Sequence, residues 1–166
     1  NLKQAAKTMN FLTEHGISNY GELESKLAAL SARRDTAHAE IKRVESRSTE
    51  LALVMKHAGT YRQLKPLYDR YRKSNDKEKF LRGHESEIIL FEAAARELKR
   101  LGAVPLPTTE SMKTELANLN AEKERLLSEY KTARSVAQEY ETVKQNVDAL
   151  LAVPKEQEQQ RRHELE

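Results

Sequence analysis

Two long stretches of the chain repeat apolar residues in alternating steps of four and three, and this spacing constrains the fold more than any other feature. The pattern places one apolar stripe along each helix and predicts that another helix covers it. The first stripe consists of Leu23, Leu27, Leu30, Arg34, Ala37, Ile41, Val44, Ser48, Leu51, Met55 and Ala58. The second consists of Met112, Leu116, Leu119, Lys123, Leu126, Tyr130, Ala133, Ala137, Tyr140, Lys144, Val147 and Leu151. Two matching stripes in one chain predict a long antiparallel coiled-coil hairpin, because closing the loop between them costs little entropy.

Four polar residues interrupt these two stripes, namely Arg34, Ser48, Lys123 and Lys144. A polar residue at a seam position commonly fixes the register of the two helices. A binding groove between the arms is the alternative interpretation of the same four residues.

The stripes divide the chain into predicted segments. A short N-terminal helix occupies residues 1–17, with Leu2, Ala5, Met9 and Leu12 on one face and Gly16 at its end. The hairpin occupies residues 18–153, with arms at 19–60 and 109–152 and a small helical cluster at the tip, residues 61–104. Residues 154–166 have almost no apolar side chain and are predicted to be a polar tail or linker.

Local signals set the ends of the predicted helices. Asn19 and Glu22 have the spacing of a capping box, and Thr108 or Thr109 begins the second arm. Pro66 predicts a kink or a break, since proline has no N–H and clashes with the preceding turn. Within the tip, the chain offers caps at Ser74 and Asn75, helix ends at Gly83 and Gly102, and one helix face formed by Ile88, Phe91, Ala95 and Leu98.

Composition agrees with an all-α protein that has thin helical packing. Hydrophobic residues make up 38% of the chain, charged residues make up 33%, and the mean hydropathy is −0.80. No apolar run reaches the roughly 18 residues that a membrane span needs, so no membrane insertion is expected and a cytoplasmic location is predicted. The chain begins at Asn1 and enters a helix at once, so we expect a fragment of a larger protein.

No catalytic or metal-binding motif is visible. The chain has no cysteine, and its five histidines are too far apart in sequence to form a metal pair on one helical turn. It has no Gly-rich phosphate loop and no nucleophile motif. The prediction is therefore a non-enzymatic fragment with no cofactor, no metal and no catalytic residue.

Positive charge is concentrated in the tip. Residues 56–103 contain twelve Lys or Arg and seven Asp or Glu, a net charge of +5, whereas the rest of the chain has a net charge of −2. Basic residues interleaved with tyrosines can contact phosphates and stack on unpaired bases. The candidate DNA-binding residues are Arg62, Lys65, Arg70, Arg72, Lys73, Lys77, Lys79, Arg82, Tyr68 and Tyr71. The alternative is that the tyrosines pack the tip and the cations simply solvate a helix.

The arms carry two further features. Arg33, Arg34, Lys42, Arg43 and Arg47 stand near Glu40, Glu45 and Glu50, which predicts ion pairs that flank the seam. Leu53, Val54, Leu127 and Val136 fall outside the seam and are candidates for an exposed apolar strip. Such a strip would bind a partner helix or a second copy of the chain, so a homodimer is a further expectation.

Three segments resemble a known family. They are residues 1–17, the stretch Tyr68-Asp69-Arg70-Tyr71-Arg72-Lys73, and Val143-Lys144-Gln145-Asn146-Val147-Asp148. They are similar to the C-terminal helical region of relaxases, the mobilization nucleases of conjugative and mobilizable elements in Gram-positive gut bacteria. The resemblance extends from Asn1 to about Leu151.

The resemblance implies an accessory region downstream of a nuclease domain that nicks DNA through a tyrosine and a metal held by histidines. The chain lacks the His-x-His motif of that domain, so no catalytic residue is carried over. The implied role is to hold single-stranded or origin-of-transfer DNA, or to dock conjugation-complex proteins. The alternative is a coiled-coil protein-interaction or spacer module with no nucleic-acid affinity.

Overall fold

The structure, a computed structural model, describes residues 1–165, with side chains described outside residues 153–158. It contains helices α1 (Leu2–Glu14), α2 (Tyr20–Lys73), α3 (Lys77–Arg100) and α4 (Thr109–Leu165). No strand occurs within residues 1–165. Helices α2 and α4 pair extensively, which confirms the predicted all-α helical hairpin.

The predicted seam is the core of this pairing. Its most buried members on α2 are Leu23, Ala37, Ile41, Val44, Leu51 and Ala58, and those on α4 are Met112, Leu119, Leu126, Ala133, Ala137 and Tyr140. The last predicted position is an exception, because Leu151 is 58% exposed. Heptad spacing therefore identifies most of the buried face of both long helices, although Val54 and Val143 are buried outside the predicted seam.

The polar seam residues behave in two ways. The three charged ones extend to carboxylates at the flank of the seam, as Arg34 with Asp35 at 3.1 Å, Lys123 with Glu45 at 3.2 Å and Lys144 with Asp148 at 3.4 Å. The hydroxyl oxygen of Ser48 is instead buried and has no hydrogen-bond partner. A buried hydroxyl without a partner loses its hydration and gains nothing in return.

The chain divides into two compact units, Asn1–Glu40 with Arg125–Glu166, and Ile41–Glu124. In the first unit, α1 packs against the beginning of α2 and the second half of α4. The core of this unit is formed by Ile17, Leu23, Tyr140 and Val143, with Phe11, Leu12, Leu27, Leu30, Val136 and Val147 packed around them. Val136 is therefore part of the core, and the prediction that it belongs to an exposed strip is wrong.

Helix α1 buries a different face from the predicted one. Leu2 is 91% exposed and Met9 is 59% exposed, whereas Thr8 is buried. Thr8 is covered because α1 binds α4 through a polar pair: the Gln4 amide donates to Asn146 Oδ1 at 3.0 Å, and the Asn146 amide donates to Thr8 Oγ1 at 3.4 Å. Apolar spacing alone could not identify this polar contact.

In the second unit, Phe91 of α3 stacks on Tyr61 and Tyr68, so α3 packs its buried stripe beside the end of α2. The stripe consists of Ile88, Phe91, Ala94 and Leu98, so the predicted Ala95 is replaced by Ala94. Because this unit has a third helix, positions outside the two-helix seam are also covered. Val54 is only 3% exposed, which contradicts its prediction as a surface residue, while Leu53 remains 38% exposed.

Of two predicted helix breaks, the one at Pro66 is absent, whereas the one at Gly83 corresponds to a kink between two helical segments of α3. Helix α2 continues through Pro66 without interruption, so the break predicted there is wrong. The rings of Tyr61 and Tyr68, on either side of Pro66, both stack on Phe91 of α3, and this packing offsets the hydrogen bond that proline removes. At the second site, α3 continues past Gly83 but is kinked at His84, whose φ and ψ are −136° and 26°.

Helices α1 and α3 end in the same way. After α1, Gly16 has a φ of 65°, and the N–H groups of Gly16 and Ile17 donate to the carbonyls of Thr13 and Leu12. After α3, Gly102 has a φ of 70°, and the Gly102 and Ala103 N–H groups donate to Lys99 and Leu98. Both are Schellman motifs, which require a residue tolerant of positive φ. Each unit therefore leads from a short helix through a Gly turn into a long one.

The beginnings of the long helices follow the predicted signals. The Asn19 side chain accepts from the Glu22 N–H at 2.9 Å, while the Glu22 carboxylate accepts from the Ser18 N–H at 2.7 Å. Thr108 Oγ1 accepts from the Ser111 N–H at 3.1 Å before α4.

The C-terminal end of α4 lies at Leu165. The predicted polar tail is therefore helical over 154–165, and residue 166 lies outside the described residues. None of the helices in the described chain is both long and apolar enough to cross a membrane.

Candidate nucleic-acid interface

A turn of three residues joins α2 to α3 and brings the ends of these helices together. The Ser74 hydroxyl oxygen accepts from the Asp76 N–H at 3.2 Å, and Asp76 Oδ1 accepts from the Lys79 N–H at 3.1 Å. Asp76 is therefore the N-cap of α3, rather than the predicted Ser74 or Asn75. The turn fixes the last turn of α2 beside the first turn of α3.

Six exposed cations surround this turn, and we refer to them as the basic cluster: Arg70, Arg72, Lys73, Lys77, Lys79 and Arg82. Arg70 lies over the Phe80 ring, with its guanidinium carbon 5.6 Å from the ring centroid. A guanidinium held over a ring face is oriented without losing its charge. The sequence prediction named all six, and the structure places them on neighbouring helix ends.

None of the six has an ion pair among the described residues, and five of them also have no ring contact there: Arg72, Lys73, Lys77, Lys79 and Arg82. Those on α2 stand at a helix C-terminus, where the helix dipole favours positive charge. Lys77 and Lys79 stand in the first turn of α3, where the same dipole disfavours it. The positive charge at the start of α3 therefore does not stabilise that helix.

Two predicted site residues lie elsewhere. Arg62 donates to Thr109 Oγ1 at 3.0 Å and to the carbonyl oxygen of Pro107, so it holds the loop before α4. Lys65 pairs with Asp69 at 3.1 Å within α2. Ten residues of helix, about 15 Å, separate Arg62 from Arg72. The structure thus does not bring Arg62 to the basic cluster.

The predicted tyrosines pack against phenylalanines from α3. The Tyr68 ring stacks on Phe91 with centroids 4.3 Å apart, and Tyr71 lies 5.8 Å from Tyr68 and 6.0 Å from Phe80. Sequence reasoning missed Phe80 and Phe91 as the partners of these rings. The signal was the apolar stripe of α3, but the stripe does not say which α2 residue each ring meets.

The described residues hold no set of three His, Asp or Glu side chains placed to bind a metal ion. His84 Nδ1 lies 3.8 Å from Glu87 Oε2 in a single pair. Further along α3, a hydrogen bond from Arg100 at 2.7 Å lowers the pKa of the Glu97 carboxyl. The chemical groups that this region presents are therefore the cations of the basic cluster and the aromatic rings beside them.

Comparisons of the chain with protein-family models, with curated proteins and with solved structures gave no match. A function for the chain must therefore be argued from its own residues.

Proposed function

We propose that the chain is a non-catalytic helical module that holds nucleic acid by its phosphate backbone through the basic cluster. The observation that carries this proposal is the set of six exposed cations around a three-residue turn, none of which has an ion pair among the described residues. Some cations elsewhere on the long helices are paired across the hairpin, as Arg43 is with Glu122 at 2.6 Å, and others stand singly; the basic cluster differs because six lie around one short turn. Unpaired cations in a group are ready to neutralise phosphates and release counterions.

The position of Lys77 and Lys79 adds support. Both stand in the first turn of α3, where the helix dipole also attracts an anion. The Asp76 carboxylate already caps this end by accepting from the Lys79 N–H at 3.1 Å, and a phosphate bound by the two lysines would add a second anion there. Helix stability alone would favour acidic residues at these positions.

The wider role follows from the resemblance to relaxases. As part of this proposal, the chain is an accessory region of a cytoplasmic conjugative relaxase that assists DNA processing, either by holding single-stranded or origin DNA or by docking conjugation-complex proteins. Strand cleavage in such a protein would belong to a nuclease domain outside this chain. The basic cluster favours the DNA-holding role.

Charge reversal at the basic cluster tests the proposal. The variant Arg72→Glu, Lys73→Glu, Lys77→Glu and the control Lys26→Glu, Lys131→Glu, Arg134→Glu both change the net charge from +3 to −3. Fluorescence anisotropy with labelled single-stranded and duplex DNA at about 50 mM salt measures affinity. The cluster variant should lose at least about a hundredfold in affinity, and the control much less. Equal losses, or no binding by the unmodified chain, would refute the proposal.

A second candidate is a protein-docking module, which one observation favours. Ile89 and Leu90 are adjacent on α3 and are 53% and 56% exposed. Neighbouring exposed apolar residues of this size are typical of surfaces that bind another protein or a second copy. Light scattering after size exclusion separates the two candidates. If the chain dimerises, Leu90→Ser abolishes the dimer, and the chain does not bind DNA, the docking function is supported.

A further inference from the structure

A groove between α2 and α3 lies next to the basic cluster. It is lined by aromatic rings and a carboxylate, which phosphate binding alone does not require. Its volume is about 420 Å³, and its lining includes Tyr61, Tyr68, Phe91, Arg72, Glu92 and Arg96. This volume is within the range of small-molecule sites. Arg72 belongs both to this groove and to the basic cluster, so a strand held at the cluster passes the mouth of the groove.

Aromatic rings form one side of the groove. The Phe91 ring stacks on Tyr61 with centroids 4.8 Å apart and on Tyr68 with centroids 4.3 Å apart. A ring with two stacked partners at these distances has one on each face, so Phe91 lies between the two tyrosines. Phe91 is 5% exposed, whereas both tyrosines are only partly buried. The tyrosines therefore present the aromatic surface that a ligand can contact.

Three charged side chains at the groove have no ion pair in the described part of the chain: Arg72, Arg96 and Glu92. All three are exposed. Lys65 and Asp69, which also line the groove, already neutralise each other at 3.1 Å. The groove therefore combines aromatic surface, two free guanidinium groups and one free carboxylate.

We propose that this groove binds one unpaired nucleotide of a single strand and prefers guanine. The inference rests on the proposed nucleic-acid function and adds a site that reads a base. In this site the base lies against the partly exposed tyrosine rings, Arg72 and Arg96 contact the flanking phosphates, and Glu92 accepts hydrogen bonds from the edge of the base. Stacking on aromatic side chains with hydrogen bonds to the base edge is the general means by which unpaired bases are recognised.

The carboxylate gives the preference for guanine. An ionised carboxylate has two oxygens that only accept hydrogen bonds. Guanine presents two neighbouring donors, N1–H and the N2 amino group, which match these two oxygens. Thymine presents one donor between two carbonyl oxygens, and those oxygens would face the carboxylate charge. In a duplex the donors of guanine are already paired, so Glu92 distinguishes single strands from duplex as well.

The test uses the whole chain and two labelled single strands of about 12 nucleotides, one all thymine and one with a single central guanine. We expect the guanine strand to bind roughly tenfold more tightly. Glu92→Gln should remove most of this difference, and it should raise rather than lower the affinity for the all-thymine strand, because the charge that faces the thymine oxygens is gone. The control Glu85→Gln changes an exposed, unpaired carboxylate on the same helix and should keep the full preference.

The outcomes separate this inference from the proposed function. If both strands bind equally, or if Glu92→Gln leaves the preference unchanged, the nucleotide site is refuted while backbone binding stands. If neither strand binds, both proposals fail. Free deoxyguanosine monophosphate, added as a competitor, distinguishes the two sources of the base. If the free nucleotide displaces the strand only when it is in large excess, the site binds a nucleotide within a strand, as proposed. If it displaces the strand at equal concentration, the proposal is wrong and the groove is a site for free nucleotides.

Discussion

Arg47 on α2 donates two hydrogen bonds to Glu115 on α4, from Nε to Oε1 at 2.6 Å and from Nη2 to Oε2 at 3.1 Å. Arg47 also contacts Glu50 at 3.1 Å on its own helix. The geometry is the bidentate pairing of a guanidinium with a carboxylate, and it fixes the register of α2 against α4. The contact of Arg47 with Glu50 was predicted from the sequence, whereas its pairing with Glu115 was not.

This pair makes stability depend on pH. The hydrogen bonds from Arg47 lower the pKa of the Glu115 carboxyl below its ordinary 4.5. A folded-state pKa that is lowered gives stability that is complete above the ordinary pKa and is lost as pH falls through the folded one. Glu115→Gln should therefore reduce the free energy of unfolding at about pH 7 by no more than about 1 kcal/mol, since both side chains are partly exposed.

Urea unfolding at about pH 7 and about pH 3 checks this prediction. The difference between the unmodified chain and Glu115→Gln should shrink in acid. The control Glu124→Gln, at an exposed carboxylate with no ion pair in the described residues, should differ little from the unmodified chain at either pH. A Glu115→Gln difference that stays constant down to about pH 3 would contradict the role assigned to the pair.

Ser48 gives the second prediction. Its buried hydroxyl lacks a hydrogen-bond partner, so Ser48→Ala removes an unsatisfied group and should raise the free energy of unfolding by about 1 kcal/mol. Alanine also favours helix more than serine does, and Ser46→Ala, at an exposed site on α2, corrects for that effect. Equal gains from both variants would mean that the Ser48 hydroxyl carries no penalty.

Two glycines should respond to alanine in opposite directions. Gly102 has a φ of 70°, which an alanine side chain rarely adopts, so Gly102→Ala should lower the free energy of unfolding by about 1 to 2 kcal/mol. Gly59 lies inside α2, and a Cβ added there would meet no neighbouring atom within 4 Å, so Gly59→Ala should raise it by up to about 1 kcal/mol. Thermal unfolding of both variants checks the signs, and a stabilising Gly102→Ala would contradict the Schellman geometry.

The start of α2 is held to α4 by a tyrosine. The Tyr20 hydroxyl donates to Asp148 Oδ1 at 2.6 Å, and this bond lowers the pKa of the Asp148 carboxyl. Tyr20→Phe should therefore raise the pKa of Asp148, as measured by NMR titration, and should lower the Tm. Tyr130→Phe removes a hydroxyl with no described partner and serves as the control. An unchanged Asp148 pKa in Tyr20→Phe would exclude the hydrogen bond.

Heptad spacing predicted the pairing of α2 and α4 because a period near 3.5 residues determines which side chains face a partner helix. It could not predict the burial of Val54, since that depends on packing in a unit with three helices. It also failed for Leu2 and Met9, because α1 binds α4 partly through the polar Gln4 and Asn146. Spacing records apolar faces and omits polar contacts.

The candidate site was predictable only in part. The cations from Arg70 to Arg82 are close in sequence, so their clustering on a short turn follows from local structure. Stacking of Tyr68 on Phe91 joins residues on different helices and depends on how α3 lies along α2. Arg62 was predicted from charge alone, and its hydrogen bond to Thr109 depends on the fold.

The most direct measurement is the salt dependence of DNA affinity. If the five cations of the basic cluster that have neither an ion pair nor a ring contact each neutralise one phosphate, log Kd for a single strand should change with log salt with a slope of about 3.5, between about 50 and 200 mM. Lys77→Ala should reduce this slope by about 0.7, with a weaker affinity for every sequence. A slope near zero, or no binding at the lowest salt, would contradict the proposal that the basic cluster holds the phosphate backbone.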